Sequence, residues 1–474
     1  MTFHVDRRAR TRTAGVALCL VPALLVLGGC AGFNMNEALE QANREQAAFT
    51  QGRLDIASTS AQRDARRKAA DALLADPLSQ ADAVQLALAN SASLQATLAQ
   101  NWAEGAHAAQ SGRMPNPTFS FERATLLDEV EFNRRLSFNL LELLTLPWRA
   151  ERAQQGMAMA QLQLVGDVVD QITQVRQAWV RAVAAQQSFA YAGQVNDAAQ
   201  AGSELARRMQ VAGNFSKTDR ARQQAFSAES FTQLALAENE LASTREALVR
   251  ALGLDAAQAA RLKLPQRLPD LPAAPVAPDA AARATTERLD IRMARAAYDN
   301  LARAQGLETV SSLMDVEVGV RRDTVFDNAA GTQSSRQGYD FSVKLPLFDG
   351  GGAQRDAMSA QTLAAANRLE ATVRNAASTL RESYAAYRTA HGIARHYRDE
   401  LLPLRKTIAE ESVLRYNGMF ISVFDLLADT REQIQGVMAA IAADRQFWLA
   451  DAALQATLVG RPAAGMQDTN STGR

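Results

Sequence analysis

The sequence predicts a mainly α fold with a transmembrane β-barrel portion, built from a strand-strand-long helix-short helix unit that occurs twice. Three observations predict it. Two stretches of roughly sixty residues place apolar side chains at alternating steps of three and four, the signature of a coiled-coil seam. Short segments before each of them alternate apolar and polar residues with period two. The chain also repeats itself: Asn90–Gln95 lies over Glu287–Arg292, and the match runs without a gap to Phe119-Ser-Phe121 over Val316-Glu-Val318 at a constant offset of 197. After a loop eight residues longer in the second copy, Leu136-Ser-Phe138 falls on Phe341-Ser-Val343, and Gly213-Asn-Phe215 falls on Gly418-Met-Phe420 at an offset of 205.

The N-terminus directs export. Arg7, Arg8, Arg10 and Arg12 form a basic region before the apolar stretch Ala14–Leu27, which is too short to span a bilayer and suits a signal peptide over residues 1–29. Leu27-Gly28-Gly29-Cys30 resembles the bacterial lipobox, so Cys30 is expected to be acylated. The other cysteine, Cys19, leaves with the signal peptide. Acyl chains contribute about 0.8 kcal/mol per buried CH₂, enough in combination to hold a protein on a membrane without a spanning helix. Ala31 follows where an Asp would favour retention in the inner membrane, so the resemblance points to the outer one. Residues 30–80 read as an anchor and periplasmic segment.

The first repeat covers 81–254. Phe119 and Phe121, then Leu136, Phe138 and Leu140 set against Arg135, Ser137 and Asn139, predict two strands. From Trp148 to Val211 there is no Pro, and Val165, Val168, Ile172, Val175, Trp179 and Ala182 mark the seam of a long helix. A shorter return helix runs over about Lys217–Gly253. Residues 255–280 form a connector, since Leu264-Pro265 through Pro278 is too rich in Pro to sustain a helix.

The second repeat covers 281–460. Val316, Val318 and Val320 alternate with Asp315, Glu317, Gly319 and Arg321, and Tyr339, Phe341, Val343, Leu345 and Leu347 alternate with Asp340, Ser342 and Lys344. A long helix follows over 353–416 with one proline, Pro403, and a seam of Leu369, Val373, Ala376, Leu380, Tyr384, Tyr387, His391 and Ala394. At 1.5 Å per residue such a helix is about 96 Å long. A return helix over about Val423–Gly460 and a flexible tail, 461–474, complete the chain.

A soluble sheet packed on a core also alternates. Charges of both signs on the polar face favour a water-filled lumen instead. Four strands cannot close a barrel, eight leave an interior that side chains fill, and twelve leave a passage, so a homotrimer is expected.

Composition narrows the function further. Lys+Arg and Asp+Glu are each 51, which lacks the basic surplus of a nucleic-acid binder. Beyond the N-terminus no run is apolar enough for a spanning helix, which excludes a polytopic helical transporter. No enzyme is expected: there is no zinc-protease helix, phosphate loop or nucleophile elbow, and Gly350-Gly351-Gly352 reads as a turn. After processing only His107, His391 and His396 remain; His391 and His396, five apart, lie on different helix faces. Met419 at the turn is better suited to packing than to holding a soft ion. No metal site and no cofactor are expected.

Over about residues 80–460 the chain resembles the TolC/OprM-type outer-membrane factors of efflux and type I secretion systems, in their lipoprotein branch. The resemblance rests on the duplicated element order, on Leu345-Pro-Leu-Phe-Asp-Gly-Gly351, and on Arg415-Tyr416-Asn-Gly418-Met-Phe-Ile-Ser422-Val-Phe-Asp425-Leu-Leu427. It implies a trimeric twelve-stranded barrel in outer-membrane lipid that continues into a twelve-helix periplasmic coiled-coil tunnel. The closed end is opened by a periplasmic adaptor (membrane fusion) protein coupled to an inner-membrane pump of the RND type. The function implied is a passive exit duct for small molecules or metal ions. The outlet of a type I protein secretion system is the alternative, and a periplasmic coiled-coil scaffold lipoprotein a more distant one.

The turns at Gly213 and Gly418 then lie at the periplasmic tip. Each is followed by Ser and an acid, Ser216 with Asp219 and Ser422 with Asp425, a spacing that caps the next helix. The resemblance adds that Asp425 lines the tunnel constriction as an acidic ring and that Tyr416 helps hold it shut. Gly418 is one residue nearer Tyr416 than the family pattern places it. Ala428 stands where some members carry a second ring acid, a place the neighbouring Asp429 is able to fill.

Overall fold

The computed structural model of the chain describes residues 32–275, 288–311, 315–344, 348 and 350–462. The signal peptide, Cys30, most of the segment from Leu345 to Asp349, the end of the connector and the tail lie outside these residues. The described chain is mostly helical with one four-stranded antiparallel sheet, and it divides into two compact units.

The first unit, which takes in Trp102–Ala160 and Arg295–Arg368, holds the sheet. Strands β1 (Thr118–Leu126), β2 (Glu129–Asn139), β3 (Asp315–Asp327) and β4 (Thr332–Lys344) pair in that order. The two copies join where β2 meets β3, with Leu136 opposite Val320, and β1 and β4 are left as free edges. The eight additional residues of the second copy do not build a long loop. They lengthen the strands, 13 and 13 residues against 9 and 11, and widen the turn to Asn328–Gly331. Asp327 closes that turn by accepting from the amides of Ala329 and Ala330 at 2.9 and 2.8 Å.

Register sorts the side chains sharply. Phe119, Leu136, Val320 and Tyr339 are mutual partners and share one face, as do Phe138, Val318 and Phe341. The acids of the strands fall on the other face: Glu122, Glu129, Glu131, Glu317, Asp323, Asp327 and Asp340. The predicted alternation is therefore two-sided in fact, with one face free of acids and mainly apolar and the other densely charged.

The second unit comprises Met35–Asn101, Gln161–Ala294 and the chain from Leu369 onward. It opens with α1 (Met35–Glu45), α2 (Ala47–Thr50), α3 (Ser60–Leu73) and α4 (Gln80–Asn90); Thr59 with Gln62 and Ser79 with Asp82 form capping boxes at α3 and α4. Helix α5 (Ala92–Ser111) leads to β1, and α6 (Leu140–Leu144) and α7 (Leu146–Val211) follow β2. The predicted seam of α7 is buried throughout, from Val165 to Ala182, and the Trp179 indole donates to the Leu78 carbonyl at 2.8 Å. After α7 come α8 (Lys217–Leu252), the short α9 (Ala256–Arg261) and α10 (Leu289–Ser311).

In the second copy the predicted single helix is interrupted. It forms α11 (Gly352–His396), one π-helical turn (Tyr397–Leu401) and α12 (Leu402–Asn417), before the return helix α13 (Val423–Val459). Pro403, at the start of α12, has no N–H to offer the preceding turn, and the Leu402 amide reaches back five residues to the Tyr397 carbonyl. The seam is also only partly covered: Ala376, Leu380, Tyr387, His391 and Ala394 are buried, whereas Leu369 is half-buried and Val373 is 47 % exposed. Periodicity marks the apolar face of a helix, and it does not supply the partner.

The connector departs from expectation more usefully. From Leu262 to Pro275 it is non-helical, as its prolines require, yet it is strapped down rather than free. Leu262, Leu264, Leu268 and Leu271 are buried. The Trp448 indole donates to the Pro269 carbonyl at 3.2 Å and His391 Nε2 lies 2.9 Å from the Pro272 carbonyl. His391 thus sits under the strap, against the edge of the Phe447 ring. His396 faces Glu400 at 3.1 Å.

Candidate functional site

The candidate gate is the pair of turns that close the hairpins α7/α8 and α12/α13. At the first, the Asn214 amide reaches the Met209 carbonyl at 2.9 Å and the Gly213 amide reaches that of Gln210 at 3.0 Å, a Schellman ending. That geometry puts Gly213 in the left-handed region, φ +80°. Ser216 starts α8 by accepting from the Asp219 amide at 3.1 Å, and its hydroxyl donates to the Asp219 carboxylate at 2.6 Å.

The second turn uses the same hydrogen bonds one residue later. The Phe420 amide bonds the Arg415 carbonyl at 2.8 Å and the Met419 amide that of Tyr416 at 2.9 Å. The left-handed residue is therefore Met419, φ 58°, and not Gly418, whose φ is −80°. This corrects the expected equivalence of Gly213 with Gly418: measured back from the capping serines, Gly213 corresponds to Met419. At Gly418 the exposed Phe420 ring folds back to 2.8 Å from where a Cβ would sit, so a side chain there would have to turn the ring aside. Holding a side chain at positive φ costs about 1–2 kcal/mol, so this tip is the more strained of the two. Met419 and Phe420 are 93 % and 83 % exposed.

Ser422 and Asp425 complete a full capping box. The Asp425 amide donates to Ser422 Oγ at 3.3 Å, and the Ser422 amide and hydroxyl donate to Asp425 Oδ2 at 3.1 and 2.8 Å. Asp425 is exposed, and one of its carboxylate oxygens lies outside the cap. Tyr416 is half-buried on the last turn of α12. Asp429 accepts a short hydrogen bond from Ser412 within the same hairpin, so it is already engaged as a helix-to-helix tie.

Two contacts join the hairpins of the two copies, and sequence pattern alone does not reveal them. Phe215 and Phe424 stack with ring centroids 4.7 Å apart and planes inclined by 23°. Further along α13, the Arg431 guanidinium lies 4.3 Å from the Phe226 ring centroid and donates to Gln223 at 3.3 Å. Phe215 precedes its capping serine and Phe424 lies two residues after its own, and nothing local pairs them. On α7 the approach to the first tip carries Glu204, whose carboxyl is held down to about 2 by hydrogen bonds from Arg207 and then Arg208. It is ionised throughout the neutral range.

The charged face of the sheet is the second part of the site. Arg135 and Arg321 are register partners, and each has an acid: Arg135 meets Asp340 at 3.0 Å and Arg321 meets Asp323 at 3.1 Å. These pairs neutralise both arginines, and the remaining acids leave this face of the sheet polar and net acidic. Among the described residues no group of three or more His, Cys, Asp or Glu side chains is placed to hold a metal ion.

No protein-family model matches the chain, and no curated protein matches it. Solved structures do. The chain is similar to the Campylobacter jejuni CmeC outer membrane channel, with a TM-score of 0.68 at 14 % identity, covering 81 % of this chain and 86 % of that one. The outer membrane protein VceC from Vibrio cholerae matches with a TM-score of 0.65 at 15 % identity over 83 % of this chain and 96 % of that one. The open state of the Neisseria gonorrhoeae MtrE outer membrane channel matches at 0.63 and 18 %, over 80 % and 88 %. At such identities it is the path of the backbone that is shared.

Proposed function

We propose that this chain, which has the fold of the TolC/OprM-type outer-membrane channels, is the outer-membrane component of a tripartite efflux system. It acts as a passive exit duct for small molecules or metal ions. Direction and energy come from an inner-membrane pump of the RND type through a periplasmic adaptor. The observation that carries this reading is the sheet: four strands with an acid-free, mainly apolar face, an acidic face and two open edges. Such a sheet is satisfied only by closure, because unpaired strand edges cannot sit in hydrocarbon. Three copies close it around a passage. No helix among the described residues is long and apolar enough to cross a membrane.

The test is the protein mass of the detergent-extracted complex by light scattering, followed by conductance in planar bilayers. Three chains and a water-filled conductance support the proposal; a non-conducting monomer would return the chain to the scaffold reading.

Within this reading Asp425, presented by α13 at the tip, forms a ring of three carboxylates. Asp425→Ala is expected to weaken block by multivalent cations on the order of tenfold, because three charges facing one narrow passage are lost together. Unchanged selectivity and block would remove Asp425 from the constriction. Cys30 is the proposed lipid anchor; Cys30→Ser should abolish incorporation of labelled fatty acid, and persistence of the label would place the acyl group elsewhere.

A further inference from the structure

The acid-free face of the sheet is not wholly apolar. It carries Arg123, Arg134 and Arg322, all exposed. Arg134 and Arg322 are direct register partners across β2 and β3, and Arg123, opposite Phe132, lies on the diagonal from Arg134. Direct partners on one face have Cβ atoms about 5 Å apart and diagonal neighbours about 7–8 Å, and like charges so placed repel. None of the three forms an ion pair with a described residue. The other face supplies the comparison: its adjacent arginines, Arg135 and Arg321, have Asp340 and Asp323 beside them. Three guanidiniums are thus gathered where this face of the strands holds no acid, an arrangement suited to an anion from outside the chain.

Their height on the sheet identifies the anion. From Val316 and Val343 to Val320 and Tyr339 the face is apolar, and Leu144 and Trp148, which follow β2 in the chain, are also exposed. One step from Val320 toward the β-turns, the face becomes cationic. Aromatic rings accompany the change: Phe121 lies 6.0 Å from Phe132, Phe132 5.8 Å from Phe326, and Arg123 5.9 Å over the Phe132 ring. Aromatic girdles mark the edge of the hydrocarbon, and arginine costs about 2–4 kcal/mol at the midplane of a bilayer but little at its interface. A shallow groove of about 550 Å³ is lined by Phe119, Leu136, Val320 and Tyr339 together with Arg134 and Arg322, and Arg135 and Arg321 also border it.

We propose that Arg123, Arg134 and Arg322 form an outward-facing site for the phosphate monoester of a phosphorylated lipid headgroup in the leaflet at the β-turn end of the barrel, with the lipid's acyl chains lying along the apolar band. A phosphate monoester carries close to two charges at neutral pH and accepts paired N–H bonds from guanidinium, which an ammonium-neutralised diester matches less well. This proposal rests on the channel reading, since it needs the apolar face to meet lipid.

The experiment uses the full chain as assembled in detergent and freed of co-purified lipid. Native mass spectrometry follows addition of a bisphosphorylated glucosamine-disaccharide lipid or its dephosphorylated form, with conductance measured on the same preparations. The wild type is expected to retain the phosphorylated lipid about tenfold more strongly. Arg134→Gln/Arg322→Gln is expected to lose that preference, and Arg336→Gln, on the opposite face, to keep it. Equal retention of the two lipids by the wild type, a comparison that needs no variant to assemble, would overturn the proposal. So would an unchanged preference in the double variant. If these failures occur in a conducting preparation, the lipid site alone falls; a wild type that does not conduct removes the channel reading and the lipid site with it.

Discussion

Phe447→Ala is expected to destabilise the helical unit by about 3–5 kcal/mol, the cost of emptying a large aromatic site in a packed core. Phe447 is fully buried on α13 and sits in a cluster with Leu380, Tyr387, Ala390 and Leu454. Its ring lies 5.5 Å from Tyr387, 5.5 Å from His391 and 5.1 Å from Trp448. The alanines around it have no longer side chain with which to fill the hole. The loss should extend to the connector, because His391 and Trp448 also hold the strap through Pro272 and Pro269. Urea unfolding of the detergent-solubilised protein, followed by far-ultraviolet circular dichroism and tryptophan fluorescence, measures it. Phe447→Leu, which keeps most of the volume, should cost less than half as much. A change below about 1 kcal/mol for the alanine variant would mean that α11 and α13 do not meet around this ring.

Gly460→Ala should be nearly as damaging, at about 2–5 kcal/mol. The residue ends α13 at φ +97°, and a Cβ there would lie 2.7 Å from the Leu289 amide nitrogen and 2.8 Å from Asp290 Oδ1. Left-handed strain contributes about 1–2 kcal/mol, and crowding against backbone about 1–3 kcal/mol. Asp290 cannot readily withdraw, since it accepts from the buried Arg288 at 2.7 and 3.1 Å while Arg288 also donates to the Ala376 carbonyl at 3.2 Å. Gly253, at the same place in the first copy, has φ +66° and a Cβ contact of 2.7 Å to Ser91 Cα. Gly331→Ala is the comparison: φ is +64° but nothing lies within 4 Å of its Cβ, so only the strain should be felt. Thermal unfolding of the two variants separates the two causes, and equal losses at Gly460 and Gly331 would show that the packing at the end of α13 is loose.

The tip was legible in part. Ser216 and Ser422 cap their helices as the Ser-x-x-Asp spacing predicts, because an N-cap is decided by four consecutive residues. The placement of the left-handed residue was not legible. A glycine at 418 is the obvious candidate for it, yet the left-handed residue is Met419, set by hydrogen bonds from the Met419 and Phe420 amides to Tyr416 and Arg415. Asp429 is similar: sequence places it beside the ring position, and the neighbouring helix engages it through Ser412.

By itself the sequence determined the duplication, the two long helices with their return helices, the buried seam from Val165 to Ala182, and strands whose two faces differ in charge. These follow from period, propensity and capping, which act over a few residues. Only the tertiary structure decided that the copies join at β2 and β3 and that the connector is strapped under Trp448 and His391. It also decided that Phe215 stacks on Phe424 and that three arginines share a face without an acid. Those outcomes rest on contacts between residues tens to hundreds of positions apart, whose partners are chosen by register and packing after the local elements have formed.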